Sequence, residues 1–385
     1  MRLTKHQLMY IVLLTPLLCP STLVHYSMFF QIIKLLKLTS LGYAAMLVLA
    51  KKVEINTVTR MMCLLWGWQL LSTILTTGRI GDWFSNTYPY VAIVILSQYY
   101  LRRYGDEFVN SIVWIYAIFL LINYFTWING GLYIDTTSSY NTERRVYFLG
   151  IRNSVGYFSA AAFPLMVAMW EKKWKWIIPS LSMILTVIFI FKESVSAAIM
   201  TLLIFAIGSI FLNSDYRKSP FRYKLIIAIA VALIVGIVFF RIQNLFSVLL
   251  VDVLGESINF NGRTIIWDSL LSQIKGAEWL IGHGCGYEKR FIINGLYTNF
   301  AHNQFLGVIF DYGVIGMALF VFIHIKLFKS FFITGKSKNK LLFMGIIAIL
   351  CGGLVEALCD TVYYYLLITV TYYLNVCEER GEMNG

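Results

Sequence analysis

Apolar runs close to the length of a membrane crossing follow one another along most of this chain, separated by short polar connections. About 20 apolar residues let an α-helix cross the hydrocarbon core of a bilayer. Counted this way, spans are expected near 7–25, 28–50, 58–77, 84–101, 108–128, 149–170, 176–191, 195–212, 224–240, 303–328, 341–358 and 361–377, about twelve in all. In lipid a chain must satisfy its own backbone N–H and C=O groups, and a helix does so within one segment. The expected fold class is therefore all-α, a polytopic integral membrane protein. Composition agrees: 58% of the 385 residues are hydrophobic and 14% charged, too little charge to cover a soluble surface.

The formal net charge of +12 invites nucleic acid as a partner, but its distribution argues against that. Lys and Arg gather in connections: Lys51-Lys52, Arg102-Arg103, Lys172-Lys173-Lys175, Arg217-Lys218-Arg222-Lys224 and Lys326-Lys329-Lys336-Lys338-Lys340. Alternating the spans puts these clusters on one side, which the positive-inside rule assigns to the cytoplasm. Both termini then fall on that side. Met1 to Cys19 has a basic start and an apolar core, yet "TPLLCPS" offers no small-residue cleavage site, so it is expected to stay as the first span. The six cysteines have neither CxxC spacing nor a paired loop framework, so no disulfide and no metal cluster is expected.

Two connections on the outer side are long, Asn129 to Phe148 and Arg241 to His302. The second divides the chain into spans over 1–240, a large outer loop over 241–302 and the last spans with a short tail over 303–385. Loops of this length are usually functional or disordered, and Trp267, Trp279, Phe291 and Tyr297 argue for order. Within the loop, "NGRTIIWDSLLSQIKG" places Ile265, Ile266, Trp267, Leu270, Leu271 and Ile274 at helical spacing. An amphipathic helix lying along the membrane surface is expected there, with Trp267 at the headgroup level.

Arg263 opens that helix, where a cation opposes the macrodipole but an anion gains from both free N–H groups and the guanidinium. It reads either as a phosphate contact or as a solvated surface residue. "IGHGCGYEKR" is a glycine-rich turn ending in Lys289 and Arg290 that lacks the spacing of a nucleotide loop, and its His283 reads as structural. Arg144, Arg145 and Arg152 run against the positive-inside trend and call for a carboxylate or an anionic ligand. His302 and Asn303 stand where the large loop enters an apolar run. His302 reads either as an interfacial cap or as a neutral imidazole that takes a proton from a sugar hydroxyl, with Asn303 orienting ring or sugar. The acids Glu193, Asp311, Glu356 and Asp360 read as reacting groups or as ion-pair partners for the outer arginines.

The order of these features, with "GRTIIW", then "LIGHGCG", then "AHNQFLGVIFDYGVIG" entering the next span, resembles the bacterial O-antigen polymerase and O-antigen ligase superfamily, and most of all the capsular and exopolysaccharide repeat-unit polymerases. Gly262 to Gly316 carries the specific part, and "GIRNSVGYFSAAAFPL" is a looser echo. The resemblance implies a membrane glycosyltransferase of the bacterial cytoplasmic membrane, active on its outer face on oligosaccharides linked to undecaprenyl diphosphate. A polymerase passes the growing chain to the non-reducing end of a new lipid-linked repeat unit, and a ligase passes it to another acceptor. It also implies metal-independent, inverting transfer with no cofactor, and as partners membrane lipid and a chain-length regulator and flippase of the same pathway. By motif position Arg263 and His302 inherit the catalytic roles. Arg145, Arg152, Arg241, Arg290, Asn303 and Trp267 are the expected contacts to diphosphate or sugar. "KESVSAA" stands where many relatives have a Ser-Arg pair, so no arginine is expected from that region. A transporter or flippase of lipid-linked sugars is the alternative from a different class.

Overall fold

The structure, a computed structural model, describes residues 5–20, 22–23, 26–76, 78–135, 144–170, 176–212, 220–240, 263–286, 291–293, 296–298, 301–334 and 337–377. They form a helical bundle whose order is α1 Lys5–Leu18, α2 Ser27–Leu49, α3 Thr57–Leu75, α4 Ile80–Ile128, α5 Arg152–Ala168, α6 Ile177–Lys192, α7 Ser196–Phe211, α8 Pro220–Phe240, α9 Arg263–Gln273, α10 Glu278–Ile281, α11 Gln304–Thr334, α12 Ser337–Gly352 and α13 Val362–Cys377. Among them α2, α3, α4, α8 and α11 are long and apolar enough to cross a membrane, and 6–18, 177–192, 196–211 and 340–352 are shorter apolar helices.

The helices follow the apolar pattern, and their limits follow local chemistry. Asn56 caps α3 by accepting from the Thr59 N–H, as an N-cap side chain does for one of the orphan donors of a first turn. The expected spans 84–101 and 108–128 lie in one run, α4, broken at Gly105, whose φ of 43° suits a residue without a Cβ. The expected span 341–358 is corrected. Helix α12 stops at Gly352, and the residues from Gly353 to Thr361 form a non-helical turn before α13. Two hairpins add strand to the expected all-α fold: β1 Tyr133–Asp135 pairs with β2 Arg144–Val146, and β3 Phe291–Ile293 with β4 Leu296–Thr298.

In the packing, α11 lies on α3, α13 on α4, α12 on both α5 and α7, and α6 on α4. Aromatic side chains such as Tyr100, Phe108, Tyr116 and Phe158 fill the interior, while Leu35, Leu49, Ile210 and Phe221 project outward, as expected where lipid is the solvent. One end of the bundle carries basic connections, with Arg102 paired to Glu54 and Lys340 donating to the Leu212 carbonyl. The other end gathers the starts of α5, α9, α11 and α13 and the end of α12.

There the turn 276–286 docks onto α11. His283 and Gly284 donate their backbone N–H groups to the carbonyls of Phe310 and Asp311. Gly282, at φ 77°, and Gly313, at φ 66°, press backbone against backbone where a Cβ would clash. The glycine-rich turn is thus a packing wedge. His283 is buried, its Nδ1 lies 3.0 Å from the Phe310 carbonyl, and its ring stacks on Phe310.

Candidate functional site

The turn after α12 and the strap before α11 are tied together by backbone and side-chain hydrogen bonds. Gln304 donates its N–H to the Gly353 carbonyl at 2.7 Å and accepts from the Cys359 N–H through Oε1 at 3.0 Å. Asn303 donates Nδ2 to the Leu354 carbonyl at 3.0 Å. These ties bring His302 beside Glu356, with His302 Nδ1 3.4 Å from Glu356 Oε2. His302 adopts φ 46°, a left-handed conformation uncommon for a side-chain-bearing residue that persists when its surroundings over-determine it. The ties on both sides supply that constraint.

Helix α9 approaches from a third direction. Its buried face carries Ile266, Trp267 and Leu270, and the Trp267 indole N–H donates to the Ala301 carbonyl at 3.1 Å, next to His302. This corrects the expectation of Trp267 at the headgroup level. The residue is fully buried, because the apolar face of the helix meets protein rather than lipid. So anchored, Arg263 reaches Glu356, with Nη2 2.9 Å from Oε1.

Helix α5 closes the cluster. Asn153 and Tyr157 stand one turn apart on one face, and both point at the same carboxylate. Asn153 Nδ2 donates to Oε1 at 3.2 Å, and the Tyr157 hydroxyl donates to Oε2 at 2.7 Å. Each oxygen of Glu356 therefore faces two donors.

Glu356 is 3% exposed, against 21% for Arg263 and 28% for His302. Burial alone pushes its carboxyl up, but His302, the Tyr157 hydroxyl and the Arg263 guanidinium together outweigh burial and hold it below the usual carboxylate range. It is an anion at neutral pH, and a buried anion persists only where donors replace its hydration. The arrangement supports two kinds of chemistry. A guanidinium partly open to solvent keeps further N–H donors for an anion, and an imidazole backed by a carboxylate accepts a proton through its other nitrogen.

The remaining expected contacts separate. Arg152 opens α5 but turns away from Glu356, donating Nη1 to the Glu193 carbonyl at 3.3 Å. Arg145 lies exposed in β2. Near them Glu193 Oε1 accepts from the Trp127 indole at 2.7 Å, and burial together with the Glu193 carboxylate pushes the Tyr147 phenol up to about 12. Asn303 is 1% exposed. Its Oδ1 accepts from the Phe305 and Leu306 N–H groups, so its amide caps α11 rather than standing open to a sugar. Arg241 and Arg290 lie outside the described residues. Asn153 and Tyr157 were not expected, although their spacing in "RNSVGY" is the one readable sign of a shared helix face.

Fold and cluster define a multi-pass helical membrane protein with a polar, partly buried site at one end of its bundle. Residues 180–321 match the family model described as O-antigen ligase. The match supports the resemblance to the O-antigen polymerase and ligase superfamily and points to a membrane enzyme of that kind. It includes Arg263, Trp267 and His302 and ends before Glu356. No curated protein matches the chain.

Proposed function

We propose that the chain is a polysaccharide polymerase that moves a growing glycan from undecaprenyl diphosphate to the non-reducing end of a lipid-linked repeat unit, without metal and with inversion. The observation that carries this reading is the convergence of Arg263 and His302 on Glu356. It joins a cation for a leaving diphosphate to a base for an attacking hydroxyl.

In the reaction an acceptor hydroxyl oxygen attacks the anomeric carbon and forms the new glycosidic bond. The bond from that carbon to the diphosphate oxygen breaks, and its electron pair leaves on the diphosphate. The hydroxyl proton passes to His302, which later returns it to water. Charge developing on the leaving oxygen is met by the Arg263 guanidinium, the kind of fixed stabilisation that acts where charge appears in the transition state. Arg145 and Arg152 in the earlier outer loop, with Arg241 and Arg290, are assigned to the diphosphate and glycan beyond this centre. About twelve crossings, with both termini in the cytoplasm, put the site at the outer surface of the bacterial cytoplasmic membrane. There the lipid-linked donor, a flippase and a chain-length regulator meet.

The description of the matched family favours a second reading, a ligase that passes the finished chain to another acceptor. The glycan that accumulates in cells lacking the protein decides between them. Single lipid-linked repeats are expected, whereas long unattached chains overturn the polymerase in favour of the ligase. A flippase has no use for a base facing a guanidinium across one carboxylate, and unflipped repeats on the cytoplasmic side would be its signature.

A further inference from the structure

We infer that Glu356 is the positioning residue of the site: it selects the His302 tautomer that bears its proton on Nδ1, and with its other oxygen it fixes the Arg263 guanidinium. This deepens the transferase reading and rests on it for its catalytic consequence.

A carboxylate offers acceptors only. Facing Glu356 Oε2 at 3.4 Å, His302 Nδ1 is therefore the protonated nitrogen, and Nε2 carries the ring's basic lone pair. When Nε2 takes up a proton, the imidazolium lies against an anion already in place, as in the orienting acids of histidine-based hydrolases. The same carboxylate holds Arg263 through Oε1 at 2.9 Å, so one side chain sets the distance between the two reacting groups. Asn153 and Tyr157 have a different task. They are neutral donors, one to each oxygen, and they keep the carboxylate from rotating without competing for substrate charge. Among the described residues, Arg263, His302, Asn153 and Tyr157 are the side chains that hydrogen-bond or pair with Glu356.

Glu356→Gln is the discriminating change, because a carboxamide has one acceptor and one donor end. Either end facing His302 leaves a donor opposed to a donor, at His302 and Tyr157 or at Arg263 and Asn153. Glu356→Asp keeps the charge but, one methylene shorter, reaches one partner and not both.

The test is the 15N spectrum of histidine-labelled full-length protein in detergent, with His302 assigned by its loss in His302→Gln. The wild type should show Nδ1 protonated and Nε2 bare, and Glu356→Gln should convert His302 to the other tautomer or to a mixture. His283 and His324 serve as internal folding reporters, since their Nδ1 atoms rest on the Phe310 and Phe320 carbonyls and should not change. Should they move in Glu356→Gln, the Glu356→Asp spectrum is read instead, with partial conversion expected and an unchanged His302 counting against the inference. In transfer assays Glu356→Gln should lower kcat about 100-fold or more while altering KM for the lipid-linked donor far less. An unchanged His302 tautomer, or a kcat equal to that of the wild type, overturns the positioning role. If instead the tautomer converts as expected while the wild type transfers no glycan, Glu356 still positions His302 and the transferase reading is what fails; normal transfer by His302→Gln would remove only the role of His302 as base.

Discussion

Arg263 and His302 are held by opposite oxygens of one buried carboxylate, at 2.9 Å and 3.4 Å from Glu356. Both residues belong to the long connection before α11, Arg263 opening α9 and His302 closing the connection, and neither touches Glu356 by being near it in sequence. The chain thus holds a guanidinium and an imidazole on one carboxylate.

Arg263→Lys should remain strongly impaired, by about 10-fold to 100-fold in transfer, because an ammonium lacks the planar fork that serves a carboxylate and a phosphate at once. Full activity of the lysine variant, measured on lipid-linked repeats, would reduce Arg263 to a point charge.

Arg263→Ala should also cost stability, because it strips the only guanidinium that the described residues place on a carboxylate 3% exposed. Breaking a buried pair from one side costs on the order of 3 kcal/mol, less here in proportion to the donors that remain on Glu356. Thermal unfolding in detergent should show the loss, and pairing the change with Glu356→Gln should recover part of it. No recovery would mean that the two side chains are not energetically coupled.

Glu356 also sets an acid limit. Its folded carboxyl lies below the usual range, so its contribution to stability is complete above the unfolded value of about 4.3 and is lost as pH falls through the lower folded value. The melting temperature should therefore drop on the acid side of about pH 4, and Glu356→Gln should flatten that part of the profile. A wild-type curve parallel to that of the variant contradicts this account of the carboxylate.

Gly282→Ala and Gly313→Ala should each destabilise the protein by about 2 kcal/mol or more, since both positions combine a positive φ with backbone packed against them. Gly276, at φ 52°, has open space around it, so Gly276→Ala should cost only about 1 kcal/mol. Comparable unfolding temperatures for the three variants would dismiss the glycine-rich turn as a wedge.

Much of this architecture is readable in the sequence. The apolar runs mark the helices, because these follow from the solvent that each segment must face, and among the described residues Arg102 and Lys340 stand in basic connections at one end of the bundle. The motif positions of Arg263 and His302 anticipate two members of the cluster. Their common partner is not readable, because Glu356 lies far along the chain and is brought near by the ties of Asn303 and Gln304 to Gly353, Leu354 and Cys359. Helical periodicity gives α9 an apolar face but does not say whether that face meets lipid or protein, which is why Trp267 reads as a headgroup anchor and proves buried. Asn303 illustrates the opposite case. An asparagine just ahead of a long apolar helix is a cap by ordinary chemistry, and its neighbour His302 draws it into a sugar-binding reading that its hydrogen bonds oppose.

The central claim is that Arg263 and His302 together perform glycan transfer from a lipid diphosphate. Its most direct test is the chain-length distribution made by purified protein from lipid-linked repeat units, comparing wild type with His302→Ala and Arg263→Ala, each checked for correct insertion. Polymer from the wild type, persisting in the presence of a chelator, and unreacted single repeats from both variants are predicted. Normal chain lengths from either variant would contradict the account.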